Sequence, residues 1–399
     1  MNRCFKLPAR LRRTALHYAA PLLSLLVLTA CLPFHAQDSG EPLLTRGQTL
    51  TQLHLKQDAG EPMNAAWLPY FICNRLFSDP DEAVCRTAVS DYLTDLRESG
   101  INTVFVHVCA FGESMYPSAY YPMSPDANGH DAMQILTELT AAQDMAFHAW
   151  INPLRLQTED IAAACTGDAL LCQWYTDPQK CSENMFLWDG RYYLNPAADD
   201  TAAFLAGAAE ELVTRYHPAG IHIDDYFYPT TDPQTDAAAF AASGQTDLAA
   251  WRREHISSIV KGMCEAVHKA DSAALFSVSP QGNLALNHDT LYADVPRWMA
   301  ETGYCDMMIP QLYFGYENEY CPFTETLADW LALPRSEDVQ LAVGLAAYKT
   351  GNPDMYAGSG RDEWQSDADI LTRQIADVQN VTDISGISFY HADAWLEQQ

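Results

Sequence analysis

The chain is short of positive charge. Its 23 Lys and Arg residues stand against 52 Asp and Glu residues, so the formal net charge at pH 7 is −29. A protein that binds nucleic acid needs a basic face to neutralise phosphates, and the shortage of bases therefore excludes nucleic acid as a partner. Charged residues make up only 19% of the chain and hydrophobic residues 48%, which excludes an intrinsically disordered protein.

Three kinds of motif are also missing. No Gly-x-Gly-x-x-Gly follows an apolar run, which argues against a dinucleotide-binding fold. The 11 cysteines contain no Cys-x-x-Cys pair or other metal-ligand spacing, so we expect neither a metal nor another cofactor. The longest apolar run is shorter than the roughly 20 residues that a membrane-spanning helix needs. Together these absences favour an enzyme or a binding protein that acts through its side chains alone.

The N-terminal segment has the composition of an export signal. Residues 1–30 contain five basic residues and no acidic one, and they end in a short apolar run from Ala19 to Ala30. A basic start, a short apolar stretch and small residues at its end are typical of a secretory signal. The segment could be an ordinary secretory signal, an uncleaved anchor or a lipoprotein signal peptide.

The end of this segment indicates a lipoprotein. The sequence Leu28-Thr29-Ala30-Cys31 resembles the lipobox of bacterial lipoproteins, in which cleavage leaves an acylated cysteine at the new N-terminus. We therefore predict a lipoprotein signal peptide over residues 1–30 and a lipidated N-terminus with a flexible tether over residues 31–60. The lipid on Cys31 would be the only membrane contact, on the extracytoplasmic side of the cell envelope.

Residues 61–399 alternate short apolar runs with helical patterns. Apolar runs bounded by polar residues predict strands that are buried on both faces, as in a parallel sheet. Eight such strands alternating with helices predict one α/β domain, a (β/α)₈ TIM barrel with loop insertions, rather than a doubly wound sheet. The predicted strands are Met63–Leu68, Thr103–Val108, Ala146–Ile151, Gly220–Ile223, Ala274–Val278, Asp306–Ile309, Leu341–Leu345 and Gly386–Phe389.

The residues that follow these runs are rich in carboxylates, amides and aromatic rings. In a barrel of this kind the chemistry lies where the strands end and the loops begin. Aromatic rings stack on pyranose faces, while amides and acids bind hydroxyl groups, so the combination favours a glycan polymer as substrate. The candidate substrate-binding residues are His107, Tyr116, Trp150, Asn152, Arg155, Tyr226, Tyr228, Asn283, Gln311, Tyr313 and Lys349.

Three acidic residues are candidates for catalysis. Asp224 and Asp225 are adjacent at the end of the fourth predicted strand, and Glu113 follows the second. Two carboxyl groups this close cannot both ionise freely, so one pKa should be raised. Adjacent side chains at a strand end point in different directions, and the pair can therefore divide two tasks. The structural alternative is a carboxylate pair that caps the next helix or holds a loop.

Five segments of the chain match the motifs of a known family: Asn195–Pro196, Gly220–Pro229, Ala149–Pro153 with Arg155, Pro310–Tyr313 and Ala347–Lys349. Through them the chain resembles the glycosyl-hydrolase-like family of bacterial lipoproteins with the family 10 label, from about residue 63 to residue 396. The resemblance implies a TIM barrel and hydrolysis of peptidoglycan glycan strands, notably strands stripped of peptides. The chain departs at His107 and Cys109, where the family usually has Gln and Arg.

Two mechanisms remain open at this point. The Asp-Asp pair resembles that of hexosaminidases whose substrate supplies its own 2-acetamido group as nucleophile; by analogy Asp224 would orient the acetamido group and Asp225 would protonate the leaving oxygen. The alternative is a two-carboxylate glycosidase, with Asp224 as nucleophile or base and Glu113 or Asp225 as acid. A lipoprotein that only binds glycans, without catalysis, is the second class of function that the sequence allows.

Overall fold

Eight apolar segments form a closed parallel barrel in the computed structural model, which describes residues 62–399. The strands are β1 Met63–Leu68, β2 Thr103–Ala110, β3 Ala146–Ile151, β4 Gly220–Ile223, β5 Leu275–Val278, β6 Met307–Met308, β7 Gln340–Leu345 and β8 Gly386–Phe389. Each strand pairs with the next along the chain, and β1 pairs in parallel with both β2 and β8. The predicted (β/α)₈ barrel is therefore confirmed. The predicted signal peptide, tether and Cys31 lie outside the described residues.

Helices connect the strands and cover the outside of the barrel. Aspartates begin several of them, because the side chains of Asp81, Asp131 and Asp247 accept hydrogen bonds from the first-turn amides that the helix leaves unpaired. Within residues 62–399 no helix combines the length and the apolarity needed to cross a bilayer. The helices are Tyr70–Leu76, Glu82–Glu98, Ala132–Ala142, Glu159–Ala163, Leu170–Thr176, Pro178–Asn184, Asp199–Tyr216, Ala237–Ser243, Leu248–Ala270, Leu284–Asp289, Val295–Ala300, Phe323–Leu331, Glu363–Ser366, Ile370–Gln379 and Ala392–Leu396, with single 3₁₀ turns at Pro125–Ala127, Ala347–Lys349 and Gly358–Gly360.

Side chains alternate between two apolar cores because successive residues of a strand point to opposite faces. One core lies between the barrel and its helices. The other fills the barrel interior, with Met63, Ala65 and Trp67 of β1 and Phe105 of β2 among its members. Gly344 of β7 allows the Trp67 ring to pack inside the barrel, since a Cβ atom at position 344 would lie 2.9 Å from that ring. The alternation decides which side chains reach the open end of the barrel.

An insertion after β3 adds a small antiparallel sheet. Its strands are Arg155–Thr158, Met185–Trp188 and Arg191–Leu194, and the last of these lies in the middle. Three short helices separate the first strand from the second, and a disulfide joins Cys165 to Cys172 within them. The first strand begins four residues after Ile151, the last residue of β3, so the insertion starts directly at the carboxyl end of the barrel.

Candidate active site

Asp224 lies at the carboxyl end of β4 and is held by three donors. His222 points into the barrel, so Asp224, two residues later, keeps the inward direction. Trp150 of β3 is in register with His222, and Asn152 follows with the same alternation. Trp150 Nε1 and Asn152 Nδ2 donate to Asp224 Oδ2 at 3.0 and 2.9 Å. The amide of Tyr226 donates to Oδ1 at 3.3 Å. The carboxylate is therefore buried in one fixed orientation.

Asp225 is half-buried and is held by a separate set of groups. Gln311 Nε2 donates to Oδ1 of Asp225 at 3.0 Å and also to the carbonyl oxygen of Ser279. Gln281 Nε2 donates to Oδ2 of the same carboxylate. Gln281 was not among the predicted site residues. The signal that identifies it is the alternation Ser277, Ser279, Gln281, which continues the inward face of β5 beyond its end.

Burial raises the pKa of both aspartates. For Asp224 burial is the largest cause, and the neighbouring Asp225 raises the pKa further, against the three hydrogen bonds that lower it. For Asp225 burial again raises the pKa, while the amides of Gln311 and Gln281 and the charge of Arg155 lower it. Both carboxyl groups thus hold a proton more readily than an exposed aspartate does. This is a property that a proton donor near neutral pH needs.

The raised pKa of Asp225 predicts a characteristic pH dependence of stability. Between the unfolded pKa of about 3.9 and the higher folded value the native state binds more protons, so stability falls as pH rises through that window. Asp225→Asn has no carboxyl group to titrate and so does not lose this stability. The difference in the free energy of unfolding is about 1.4 kcal/mol for each unit by which folding raises the pKa. Thermal unfolding from pH 4 to pH 7 should therefore show the variant gaining stability over the wild type as pH rises.

Asp393 offers a control of opposite sign. Although burial raises its pKa, hydrogen bonds from Arg75 and Tyr92 lower it below the ordinary value overall. A lowered pKa contributes stability above the unfolded pKa that is lost on acidification. Asp393→Asn should therefore lose stability relative to the wild type as pH rises from the lowered folded pKa to the unfolded value of about 3.9, so the unfolding series for this control extends below pH 4. If the two variants follow the same pH trend, the raised pKa of Asp225 is wrong.

Arg155 lies beside the pair and stacks on aromatic rings. Its guanidinium carbon is 4.6 Å from the ring centroid of Tyr226 and 4.8 Å from that of Phe111. The structure shows no ion pair between Arg155 and either aspartate; its charge acts on Asp225 through space. Tyr226 is half-buried, so its ring and the Arg155 guanidinium form one side of the cleft.

Aromatic rings form the rest of the cleft floor. Tyr313 and Tyr390 lie 5.7 Å apart between ring centroids, and both rings contact that of Trp67. On the opposite side, His107 and Trp150 stack at 3.9 Å with nearly parallel rings. Burial, followed by the charge of Arg155, lowers the pKa of His107 to about 3, so this ring is neutral at physiological pH. Neither ring nitrogen of His107 has a hydrogen-bond partner among residues 62–399.

The prediction that Tyr116 binds substrate is wrong. The backbone turns sharply at Phe111 and Gly112, both at positive φ, and Glu113–Ser114 then runs back antiparallel to β2. A Cβ atom at Gly112 would lie 2.9 Å from Leu156, so only glycine fits this turn. The reversal carries Tyr116 into the layer between barrel and helices, where it is fully buried against Tyr216.

The prediction that Tyr228 binds substrate is also wrong, because Tyr228 has a structural role outside the cleft. Its hydroxyl donates to Asp236 at 3.0 Å, and it is 1% exposed. Asp236 in turn forms a fully buried ion pair with Arg252 at 2.6 Å, and the Arg252 guanidinium lies over the rings of Tyr228 and Tyr292. Removing one partner of such a pair is costly, so this network fixes the loop after β4 that carries Asp225.

Two further predicted residues have structural partners. Lys349 was predicted as a lone cation on an acidic rim, but its Nζ donates to Asp354 and to the carbonyl oxygen of Tyr313, each at 2.6 Å. Lys349 therefore holds the Tyr313 backbone, and the expectation of an unpaired cation is wrong. Asn283 accepts a hydrogen bond from the amide of Leu286 and begins the helix Leu284–Asp289.

Glu113 lies apart from the aspartate pair. Burial raises the pKa of its carboxyl group, and the neighbouring Ser124 and Gln157 act in the opposite direction. The hydrogen-bond donors to the aspartate pair come from β3, the residues after β5 and β6, and the Tyr226 amide. The residues that turn the chain at Phe111 and Gly112 also direct Glu113 toward the insertion. The structure thus gives no support to Glu113 as the second carboxylate of a two-carboxylate mechanism.

One group of metal-ligating residue types lies at the other end of the barrel. Asp306 precedes β6, and its carboxylate accepts a hydrogen bond from His268 Nε2 at 2.9 Å, while Cys264 Sγ lies 3.9 Å from Nδ1 of the same ring. One ligand atom from each of the three side chains lies within 4.8 Å of the others, but Oδ2 of Asp306 already accepts from His268 and from the amide of Phe276. Burial raises the pKa of Cys264 to about 12, which disfavours the thiolate that a metal needs.

The comparisons with known proteins agree with this geometry. The model of the glycosyl hydrolase-like 10 family matches residues 62–359. Glycosyl hydrolase YngK of Bacillus subtilis (strain 168) is 28% identical over 298 residues, which are 65% of this chain and 55% of that protein. This chain therefore spans about half the length of the Bacillus relative. Glycosyl hydrolase DigH of Escherichia coli (strain K12) is 25% identical over 377 residues, 84% of each chain.

Among solved structures, alpha-L-fucosidase isoenzyme 2 from Paenibacillus thiaminolyticus shares the fold. The TM-score is 0.53 at 12% sequence identity, and the match covers 84% of this chain and 47% of that one. Barrel and family model together define the class of protein, a TIM-barrel glycoside hydrolase. More particularly, the chain belongs to the glycosyl hydrolase-like 10 family, and the predictions of the family, the fold and the enzyme class are confirmed.

Proposed function

We propose that the protein cleaves O-glycosidic bonds in cell-wall glycan strands that contain N-acetylhexosamine, by substrate-assisted acid catalysis. The observation that carries the proposal is the separate support of two adjacent carboxylates. Asp224 is held by Trp150 and Asn152, and Asp225 by Gln281 and Gln311. Two carboxyl groups in different surroundings can take different roles in one reaction.

The geometry favours Asp225 as the proton donor. It is the more exposed of the pair, and its raised pKa keeps it protonated at higher pH than an ordinary aspartate. In the proposed first step the acetamido oxygen of the substrate attacks C1, the bond from C1 to the leaving oxygen breaks, and Asp225 gives its proton to that oxygen. In the second step Asp225 takes a proton from the water that attacks C1 and releases the acetamido group.

Asp224 has a different task in this scheme. Three donors fix its carboxylate and burial keeps it 3% exposed, so it cannot swing toward a leaving group. In its ionised form, which the positive charge developing on the acetamido group favours against the raised pKa of Asp224, the fixed carboxylate accepts the acetamido N–H and stabilises that charge as the ring closes. Such preorganised electrostatic stabilisation is among the largest contributions to enzymatic rate.

Aromatic side chains support a glycan as the substrate class. Tyr313 and Tyr390 present rings beside the aspartate pair: the charge of Asp224 acts on the hydroxyl groups of both, and that of Asp225 acts on Tyr313. On the loop after β7, Tyr348 and Tyr356 are 38% and 63% exposed. Aromatic rings on an open rim suit the apolar faces of successive sugar units, whereas a small metabolite would need a closed pocket.

The deciding experiment measures hydrolysis directly. The mature protein is incubated with peptide-free glycan strands, and new reducing ends are counted over time in the wild type and in Asp225→Asn. We expect the reducing ends to accumulate with the wild type and to be almost absent with the variant. If the strands bind but no reducing ends form, the protein is a glycan-binding lipoprotein without catalysis.

We also propose that the enzyme acts from the outer side of the cytoplasmic membrane through a lipid on Cys31. The support is the lipobox-like sequence at residues 28–31 and the basic, acid-free segment before it. Cys31→Ala should either release the protein from membranes or leave it as an uncleaved precursor, with unchanged activity of the catalytic domain. Fractionation and mass measurement of the N-terminus test this. Complete processing and full membrane association of the variant would refute the lipid anchor.

A further inference from the structure

Two arginines lie together on one aromatic ring at the edge of the cleft. The guanidinium carbons of Arg155 and Arg191 are 4.8 and 5.2 Å from the ring centroid of Phe111. Arg155 begins the first strand of the insertion sheet and Arg191 begins the strand paired with it, so the same small sheet carries both cations. Arg155 also stacks on Tyr226, which directly follows the catalytic pair. Arg155 therefore borders the carboxylate pair, and Arg191 lies beside it on the same ring.

These cations are not neutralised by neighbouring acids. In the described part of the chain neither Arg155 nor Arg191 forms an ion pair, although the protein carries 52 acidic residues. Arg191 donates to the carbonyl oxygen of Leu156 at 2.6 Å, and Nε of Arg155 is buried without a hydrogen-bond partner. Burial lowers the pKa of Arg191, and the charge of Arg155 lowers it further, because the two cations repel each other.

The other charged and polar groups around the two arginines do not neutralise their positive charge either. Asp225 is the acid on which Arg155 acts, but its oxygens accept from Gln281 and Gln311. The hydroxyl group of Tyr193 lies near Arg155, and burial raises the pKa of that tyrosine despite the charge of Arg155, so it contributes no negative charge near neutral pH. Two partly buried, mutually repelling guanidinium groups are an electrostatic cost unless a bound anion offsets it.

We infer that Arg155 and Arg191 form a subsite for a carboxylate substituent on a sugar next to the scissile bond. The inference rests on the proposed function, which it deepens from N-acetylhexosamine glycans to those that carry a free carboxylate. The planar guanidinium fork matches carboxylate geometry, and a charge-assisted hydrogen bond is about twice as strong as a neutral one. Coupling a peptide to the carboxylate would convert it to a neutral amide and remove this attraction.

Paired substrates test the subsite. Peptide-free glycan strands are compared with the same strands after their carboxylates are converted to methylamides, and kcat/KM is measured for each. The wild type should prefer the carboxylate form by about tenfold to a hundredfold. Arg191→Gln should lose this preference by slowing on the carboxylate form alone, and Arg191→Lys should keep part of it. Arg86→Gln, on the outer helix surface where Arg86 pairs with Glu82 and Glu138, should keep all of it.

The remaining outcomes separate the subsite from the reaction. Equal preference in the wild type and Arg191→Gln overturns the subsite, and so does an equal loss on both substrates in Arg191→Gln and Arg191→Lys. If no protein hydrolyses either strand, the proposed hydrolysis fails, and dissociation constants of the same two strands then decide the subsite by themselves. A carboxylate preference in binding that Arg191→Gln abolishes supports it, and equal binding of both strands by the wild type overturns it.

Discussion

Asp225→Asn is expected to lower kcat/KM on a glycan strand by about 10²- to 10⁴-fold, because the variant has no proton to give to the leaving oxygen. The folded site should tolerate the change. Each carboxylate oxygen accepts from a glutamine amide, and the amide of Gln281 can rotate to present its oxygen to the new Asn. The loss should therefore reflect the missing proton rather than a collapsed cleft.

The leaving group distinguishes this role from a structural one. An acidic phenol departs from an aryl glycoside as the phenolate, without needing a proton. Asp225→Asn should therefore keep more of its activity on the aryl glycoside than on the glycan. The measurement is the ratio of kcat/KM for the two substrates in wild type and variant. An equal loss on both substrates would show that Asp225 is not the general acid, and near-wild-type turnover on the glycan would show that the chemistry lies elsewhere.

Asp224→Asn is expected to lower kcat by about 10²- to 10³-fold on both the glycan and the aryl glycoside. The reason is that Asp224 acts on the acetamido group, whose ring closure accompanies the departure of either leaving group. Because Trp150 and Asn152 can still donate to the remaining oxygen, the side chain should keep its place. Kinetics on the two substrates check this, and a loss confined to the glycan would assign proton donation to Asp224 instead.

A substrate with a 2-hydroxyl in place of the acetamido group separates the two mechanisms most sharply. Substrate assistance requires this analogue to be almost inert in the wild type. A two-carboxylate glycosidase should still hydrolyse it, and Glu113→Gln should then abolish the activity. Since Glu113 lies beside Ser124 and Gln157 and donates nothing to the aspartate pair, we expect Glu113→Gln to keep most of its activity on the glycan. Loss of activity in that variant would favour the two-carboxylate mechanism.

Much of the barrel could be predicted because its strands are marked locally. The predicted bounds of β1, β3, β4 and β8 are those of the structure, and β2 continues two residues beyond its prediction. The sixth strand differs most: Asp306 and Ile309 lie outside the ladder, which contains only Met307 and Met308. Asp306 lies directly before the ladder, where its side chain accepts the amide of Phe276 and its own amide donates to the carbonyl oxygen of Phe276.

The candidate site could be predicted in part for the same reason. Where a residue lies within two positions of a strand end, the alternation still sets its direction, and Asp224, Asn152 and Gln311 all point to the open end of the barrel. Beyond the next turn this rule fails. Tyr116 and Tyr228 have side chains of the type that binds sugars. Each nevertheless packs away from the cleft, Tyr116 against Tyr216 and Tyr228 against Asp236.

The sequence by itself determined the class of fold, the acidic character of the protein and the position of the aspartate pair at a strand end, since these depend on composition and on a two-residue periodicity. Only the tertiary structure decided which groups hold each aspartate, that Lys349 is paired with Asp354, and that Arg155 shares the Phe111 ring with Arg191. Apart from Lys349 and Asp354, which are five residues apart on one loop, these pairings join residues from different segments of the chain. Their partners are chosen by burial and charge in three dimensions, which no local pattern of residues records.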